Sequence, residues 1–199
     1  MLGVQFFNHF MILTIFASET PMTPKKNATK YIIALLPAKE PENYVRVAQD
    51  HFSKIAQGCI LSKTSLPHIT ISQYFGDKET LPPIIEGLKK LRGDPKVQFT
   101  GLSFIKYQNQ PHFWWAELSV ARNPDLIQLH HSVVQLLQDH KMNPLNESGE
   151  LYRPHLTLAR VNQASCYDFP SDILKEGQFE LTLGETDGLG QFVKGLQKF

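Results

Sequence analysis

Pro67-His68-Ile69-Thr70-Ile71 and Pro154-His155-Leu156-Thr157-Leu158 repeat one pattern in this chain: proline, histidine, an apolar residue, threonine and another apolar residue. Successive side chains of a β-strand point to opposite faces, so His68 and Thr70 share one face while Ile69 and Ile71 bury on the other. His155 and Thr157 repeat the arrangement. Histidine exchanges a proton near neutrality, and a hydroxyl two residues along can bind the same small anion. Two such pairs facing each other form an acid/base site suited to phosphate chemistry. With eight histidines in the chain, two full matches by accident are roughly a one-in-a-hundred event. The partial matches His51-Phe52-Ser53-Lys54 and His130-His131-Ser132-Val133 lie instead in helical patterns.

The 199 residues suffice for one sizeable domain or two small lobes sharing a core. Twenty Lys and Arg against 19 Asp and Glu leave no overall cationic field, so any nucleic-acid contact is expected to be local and small. Cys59 and Cys166 lie far apart without metal-like spacing and read as free thiols of a reducing compartment. The apolar run from Phe10 to Ala17 is too short to span a bilayer. It resembles the core of a signal peptide, but no Lys or Arg precedes it and Ile15 occupies a position that favours a small residue. Residues 1–24 are therefore taken as an extension with a mis-set start, disordered or signal-like, ahead of a single domain over 25–199. A cytoplasmic, monomeric protein without a membrane segment is expected.

Tyr31 to Leu36 reads as a buried strand ended by Pro37. Tyr44, Ala48, Phe52 and Ile55 recur at helical spacing over 42–57, with Gly58 as the C-terminal stop. The first motif strand spans about 66–75. A helix follows, with Leu81, Ile84, Ile85, Leu88 and Leu91 on one side, and ends at Gly93-Asp94-Pro95. Strands are expected over 96–106 and 112–120, joined by a turn around Asn109. Asn123-Pro124-Asp125 starts a helix that runs to about 140. The second motif strand, 154–161, precedes a closing hairpin around Asp187-Gly188. This order indicates an α+β fold of two lobes, each a small antiparallel sheet with helices outside it, related by a pseudo-twofold about a central cleft.

The chain resembles the two-histidine phosphoesterase superfamily, and within it the LigT-like group also called the 2'-5' RNA ligase family. The resemblance rests on Pro67 to Ile71 with Phe75-Gly76, on Arg153-Pro154-His155-Leu156-Thr157-Leu158-Ala159-Arg160, and on Tyr31 to Pro37. It extends in order from about residue 30 to the C-terminus. It implies a bilobal α+β fold with both histidines in a central cleft and with no metal or other cofactor. It implies action on phosphodiesters of a ribose 2'-oxygen, such as 2',3'-cyclic phosphates or 2'-5' linkages, in RNA ends or small nucleotides.

Cleaving a phosphodiester requires a base on one side of phosphorus and an acid on the other, roughly in line. His68 and His155 meet that demand, with Thr70 and Thr157 donating to the nonbridging oxygens as charge builds. The sequence leaves open which histidine is the acid. Strand parity adds Ser72 and Tyr74 on the face of His68 and Arg153 on that of His155, as candidates for binding substrate. Arg160 has the opposite parity and is expected to brace the structure. Trp115 lies on the face opposite Trp114, Ala116, Leu118 and Val120, where it could stack on a base or pack between lobes. A metallohydrolase using His112, His130, His131 or His140 finds no ligand motif. An RNA 2'-5' ligase and a non-catalytic nucleotide-binding module remain as alternatives.

Overall fold

The run from Tyr31 to Leu35 offers no polar face, as suits a strand covered on both sides, and it forms the middle of β1 (Thr29–Pro37). The computed structural model describes residues 28–91, 95–106, 111–166 and 168–199. The expected N-terminal extension and the turn around Asn109 lie outside them. Beyond β1 the chain forms α1 (Pro41–Phe52), β2 (Ala56–Ile60), β3 (Ile69–Gly76), α2 (Leu81–Leu88), β4 (Phe99–Ile105), β5 (Trp114–Val120), α3 (Pro124–Asp139), β6 (His155–Val161), β7 (Phe179–Thr186) and β8 (Phe192–Lys198). The strands pair in the order β4-β5-β6-β3-β1-β7-β8, every pair antiparallel, with β2 also against β6.

The fold is α+β, but the two expected sheets are halves of one. They join where the motif strands meet, at the registered pair Ile69 and Leu156. Beyond this seam the motif strands part, and each exposed edge finds other partners, as buried backbone groups must. On β3, Tyr152 Oη donates to the Thr70 carbonyl at 2.9 Å, His130 Nδ1 to that of Ile71 at 2.9 Å, and the Leu145 amide to that of Gln73 at 2.8 Å. On β6, the edge is taken by β2, with the Leu61 amide on the Leu158 carbonyl at 2.9 Å.

That role of β2 corrects the expected helix over 42–57. The helix stops at Phe52, and Gly58 is no helix cap but a residue of the edge strand with φ of 73°. A β-carbon there would stand 2.8 Å from a guanidinium nitrogen of Arg160. Helical spacing continues through Ile55, and the short stretch Ala56-Gln57-Gly58-Cys59-Ile60 after it carries no alternation that would reveal a strand.

Helices α1, α2 and α3 all bury their apolar stripes in one core, against Tyr31, Ile33, Leu35, Ile69, Ile71, Leu156 and Leu158. α3 begins as its sequence indicates, with Pro124 in the first turn and the Asn123 side chain accepting from the Leu126 amide at 2.9 Å. The opposite face of the sheet carries a smaller cluster of Ile32, Ala34 and Phe192, to which no helix among the described residues contributes. The candidate site lies on this helix-free face.

Candidate active site

Each motif histidine is held by its own chain. His68 Nδ1 donates to the Leu66 carbonyl at 2.8 Å, and His155 Nδ1 donates to the Arg153 carbonyl at 2.9 Å. A carbonyl only accepts, so Nδ1 carries a proton in both rings and Nε2 is the nitrogen left to exchange one. The intervening Pro67 and Pro154 account for the shared geometry. Proline fixes its own φ and keeps the preceding residue extended, which presents that residue's carbonyl to the ring two positions on.

The register at the seam, continued one residue each way, aligns His68 with Thr157 and Thr70 with His155. Opposed residues share a face. Both histidine–threonine pairs therefore occupy the helix-free face while Ile69 and Leu156 fill the core beneath them.

Each motif strand then carries a β-bulge at the same place. In β3, Ala34 pairs with Thr70 but Ile33 pairs with Ser72, so Ile71 and Ser72 together oppose one residue. In β6, Glu117 pairs with Thr157 but Ala116 pairs with Ala159, so Leu158 and Ala159 do likewise. A bulge inserts one residue and reverses the parity of everything after it. This corrects the placement of Ser72 and Tyr74, which turn to the helix-covered side. Both are fully buried, and Tyr74 packs on Tyr31 with ring centroids 5.5 Å apart. It also corrects Arg160, which pairs with Trp115 on the helix-free face. There its Nε donates to the Gln57 carbonyl at 2.7 Å and its guanidinium lies 4.6 Å from the centre of the Phe113 ring. Trp115 keeps its expected face, in line with Glu117 and Ser119, and is 9% exposed.

The sequence reading missed Glu117. It is fully buried on the helix-free face, ion-paired with the Arg153 guanidinium, and its Oε2 stands 3.6 Å from His155 Nε2. The signal for it is a single carboxylate inside the otherwise uncharged strand Trp114-Trp115-Ala116-Glu117-Leu118-Ser119-Val120. Arg153 thus comes to the side of His155, as parity indicates. Tyr152 serves the frame instead: its ring stacks on the buried His130 at 3.7 Å, and its hydroxyl holds the Thr70 carbonyl.

The two histidines occupy unlike surroundings. His68 is 6% exposed, beside Phe192 at 5.9 Å between ring centres and near the apolar Ile32–Ala34 cluster. Burial pushes its pKa down to about 4, an effect the charge of His155 reinforces and the Leu66 hydrogen bond and the charge of Asp187 partly oppose. His68 is therefore neutral at physiological pH. His155 is partly exposed and faces the Glu117 carboxylate, with which it forms an ion pair whenever it is protonated.

Among the described residues no three His, Cys, Asp or Glu side chains converge as a metal-ligand set, and no helix is long and apolar enough to cross a membrane. No family model and no curated protein matches the sequence. Solved structures do match. A crystal structure of a phosphoesterase superposes with a TM-score of 0.62 at 16% identity, over 86% of this chain and 97% of that one. E. coli LigT complexed with NADP+ gives 0.60 at 16% identity, over 86% and 97% of the two chains. LigT complexed with 3'-AMP gives 0.58 at 17% identity, over 86% and 96%. The chain has the LigT fold. In this chain the LigT fold places the two Pro-His-x-Thr strands side by side at the seam of the sheet.

Proposed function

We propose that the chain is a two-histidine phosphoesterase of the LigT-like group, cleaving 2',3'-cyclic phosphates or 2'-5' phosphodiester bonds of RNA ends or small nucleotides without a metal. The observation that carries this reading is the matched pair of histidines. Each is locked through Nδ1 to the carbonyl two residues earlier, and the two motif strands meet at Ile69 and Leu156, close enough for the charge of His155 to act on His68. LigT structures containing 3'-AMP and NADP+ support a nucleotide as the ligand class.

The unlike surroundings of the two histidines favour one assignment of the roles that sequence leaves open. His68, neutral in its dry setting, is the base, and its Nε2 takes a proton from the attacking water. His155 is the acid, and its Nε2 gives a proton to the departing ribose oxygen as the P–O bond breaks. Thr70 and Thr157 hold the nonbridging oxygens. The product is a phosphomonoester, and solvent returns both histidines to their starting states. Run backwards, the same steps join ends, so ligation needs no second site.

The test is a panel of nucleoside 2',3'-cyclic phosphates, ADP-ribose cyclic phosphate, 2'-5' oligoadenylate and cyclic-phosphate-ended RNA, against wild type, His68→Ala and His155→Ala. Turnover of at least one substrate that both variants abolish is expected. No turnover of any, or turnover unaffected by both substitutions, overturns the reading. Binding of a cyclic nucleotide without turnover would make the chain a binding module instead.

A further inference from the structure

A carboxylate is an unexpected neighbour for a phosphate site. Glu117 nevertheless sits on the same face as His155 and Thr157, directly across from Thr157 in the β5–β6 register, and is fully buried. A buried charge is tolerated only when it is paired. Arg153 supplies the pairing through both terminal nitrogens while remaining about 40% exposed at the edge of the site. The second neighbour is His155, whose Nε2 stands 3.6 Å from Oε2. A phosphate that reaches both the Thr157 hydroxyl and His155 Nε2 must therefore lie beside the Glu117 carboxylate. The nearest groups that set the charge it meets are His155, Arg153 and Glu117; farther off on the same face are Arg160, over the Trp115 ring at 5.9 Å, and Asp187, whose charge acts on His68 across the seam.

We propose that Glu117 sets the charge of the phosphate subsite so that it holds singly charged phosphodiesters and repels doubly charged phosphomonoesters. The proposal rests on the functional reading above and deepens it. Arg153 attracts an anion, joined by His155 whenever that ring is protonated, and Glu117 offsets part of that attraction. The first negative charge of a diester is drawn to the exposed side of the Arg153 guanidinium. The second charge of a monoester, gained above its pKa near 6, adds chiefly repulsion from Glu117. Beside a carboxylate as buried as Glu117, one like charge within a few ångströms is worth about tenfold in affinity. The consequence is directional. Substrate diester is admitted and product monoester is expelled, which limits product inhibition.

The matched probes are 2'-deoxyadenosine 3'-monophosphate and its methyl ester, which differ by one methyl group and one charge and lack the 2'-hydroxyl needed to cyclise. Calorimetric titration at pH 8 is expected to show wild type favouring the methyl ester by about tenfold. Glu117→Gln is expected to shift that ratio at least tenfold toward the monoester, and Glu117→Gln/Arg153→Gln to restore much of the wild-type ratio. Wild type alone provides a check that needs no variant. At pH 5 the monoester is singly charged and its affinity should approach that of the methyl ester, whose own affinity at each pH corrects for titration of the protein. A ratio that does not change between pH 5 and pH 8, or between wild type and Glu117→Gln, overturns the role of Glu117 while leaving the phosphodiesterase reading intact. Failure of wild type to bind either ester at millimolar concentration overturns both.

Discussion

Ile69 of β3 lies opposite Leu156 of β6, and this registered pair joins the two halves of the sheet. Both side chains are fully buried in the helix-covered core, and the backbone pair they form brings the two motif strands, with the proposed site residues His68, Thr70, His155 and Thr157, side by side. Leu156→Ala is expected to cost about 2–5 kcal/mol in urea unfolding. It should also lower kcat, measured under conditions where the variant is fully folded, because the seam positions both histidine–threonine pairs. Full kcat in the folded variant would show that the seam contact does not govern the site.

The assignment of acid and base is checked by changing the leaving group. His155→Ala should lose about 10²–10⁴-fold in turnover of a ribose phosphodiester. On a p-nitrophenyl ester, whose leaving group departs without a proton, the loss should shrink to within about tenfold. His68→Ala should be equally damaging on both substrates. The reverse pattern would exchange the two roles.

The depressed pKa of His68, about 4, carries two consequences. The acidic limb of kcat/KM should fall near pH 4 rather than near 6.5, because the base is lost only when His68 protonates. Stability follows the same group. The unfolded chain takes up this proton below about 6.5 and the folded protein only below about 4, so stability falls as pH drops between these values, by about 3 kcal/mol from His68. His130, also depressed by burial, adds loss of the same sign. Urea titrations at pH 7 and pH 4.5 should show His68→Gln losing markedly less stability between the two than wild type does; equal losses would contradict the burial of an uncharged His68.

The threonines are expected to act on the transition state. Thr70→Val or Thr157→Val should lower kcat by about 10–10³-fold with little change in KM. A rise in KM at constant kcat would place them in ground-state binding instead.

The two tyrosines near the motifs should separate cleanly. Tyr74 is fully buried and its hydroxyl has no hydrogen-bond partner among the described residues, so Tyr74→Phe should leave turnover unchanged and stability equal or higher. Tyr152 donates to the Thr70 carbonyl, so Tyr152→Phe should cost about 1–2 kcal/mol and lower kcat through Thr70. Loss of activity in Tyr74→Phe would return that residue to the site.

Much of this was legible in the chain. The apolar run of β1, the capped start of α3 and the alternation of β5 each stand where local pattern indicates. β2 was not legible, because its five residues lack alternation and exist as a strand only to pair the free edge of β6. Ser72, Tyr74 and Arg160 take the faces opposite to those strand parity predicts, for one shared reason. Parity along a strand is a local rule, whereas a bulge is set by which neighbouring residue each backbone group pairs with.

By itself the sequence determined the chemistry on offer: two histidines, each with a threonine on its own face and a proline to fix the preceding carbonyl. Those features depend on residues two or three apart, and such spacing is preserved in any extended chain. Only the tertiary structure decided that the two motifs meet at a seam, that bulges swing Arg160 in and Tyr74 out, and that Glu117 stands beside His155. The tertiary structure also made the two histidines unequal, burying one among apolar residues and setting the other beside a carboxylate. Proton affinity depends on what surrounds a ring in space, and those neighbours come from β1, β5 and β8, strands distant from the motifs in sequence.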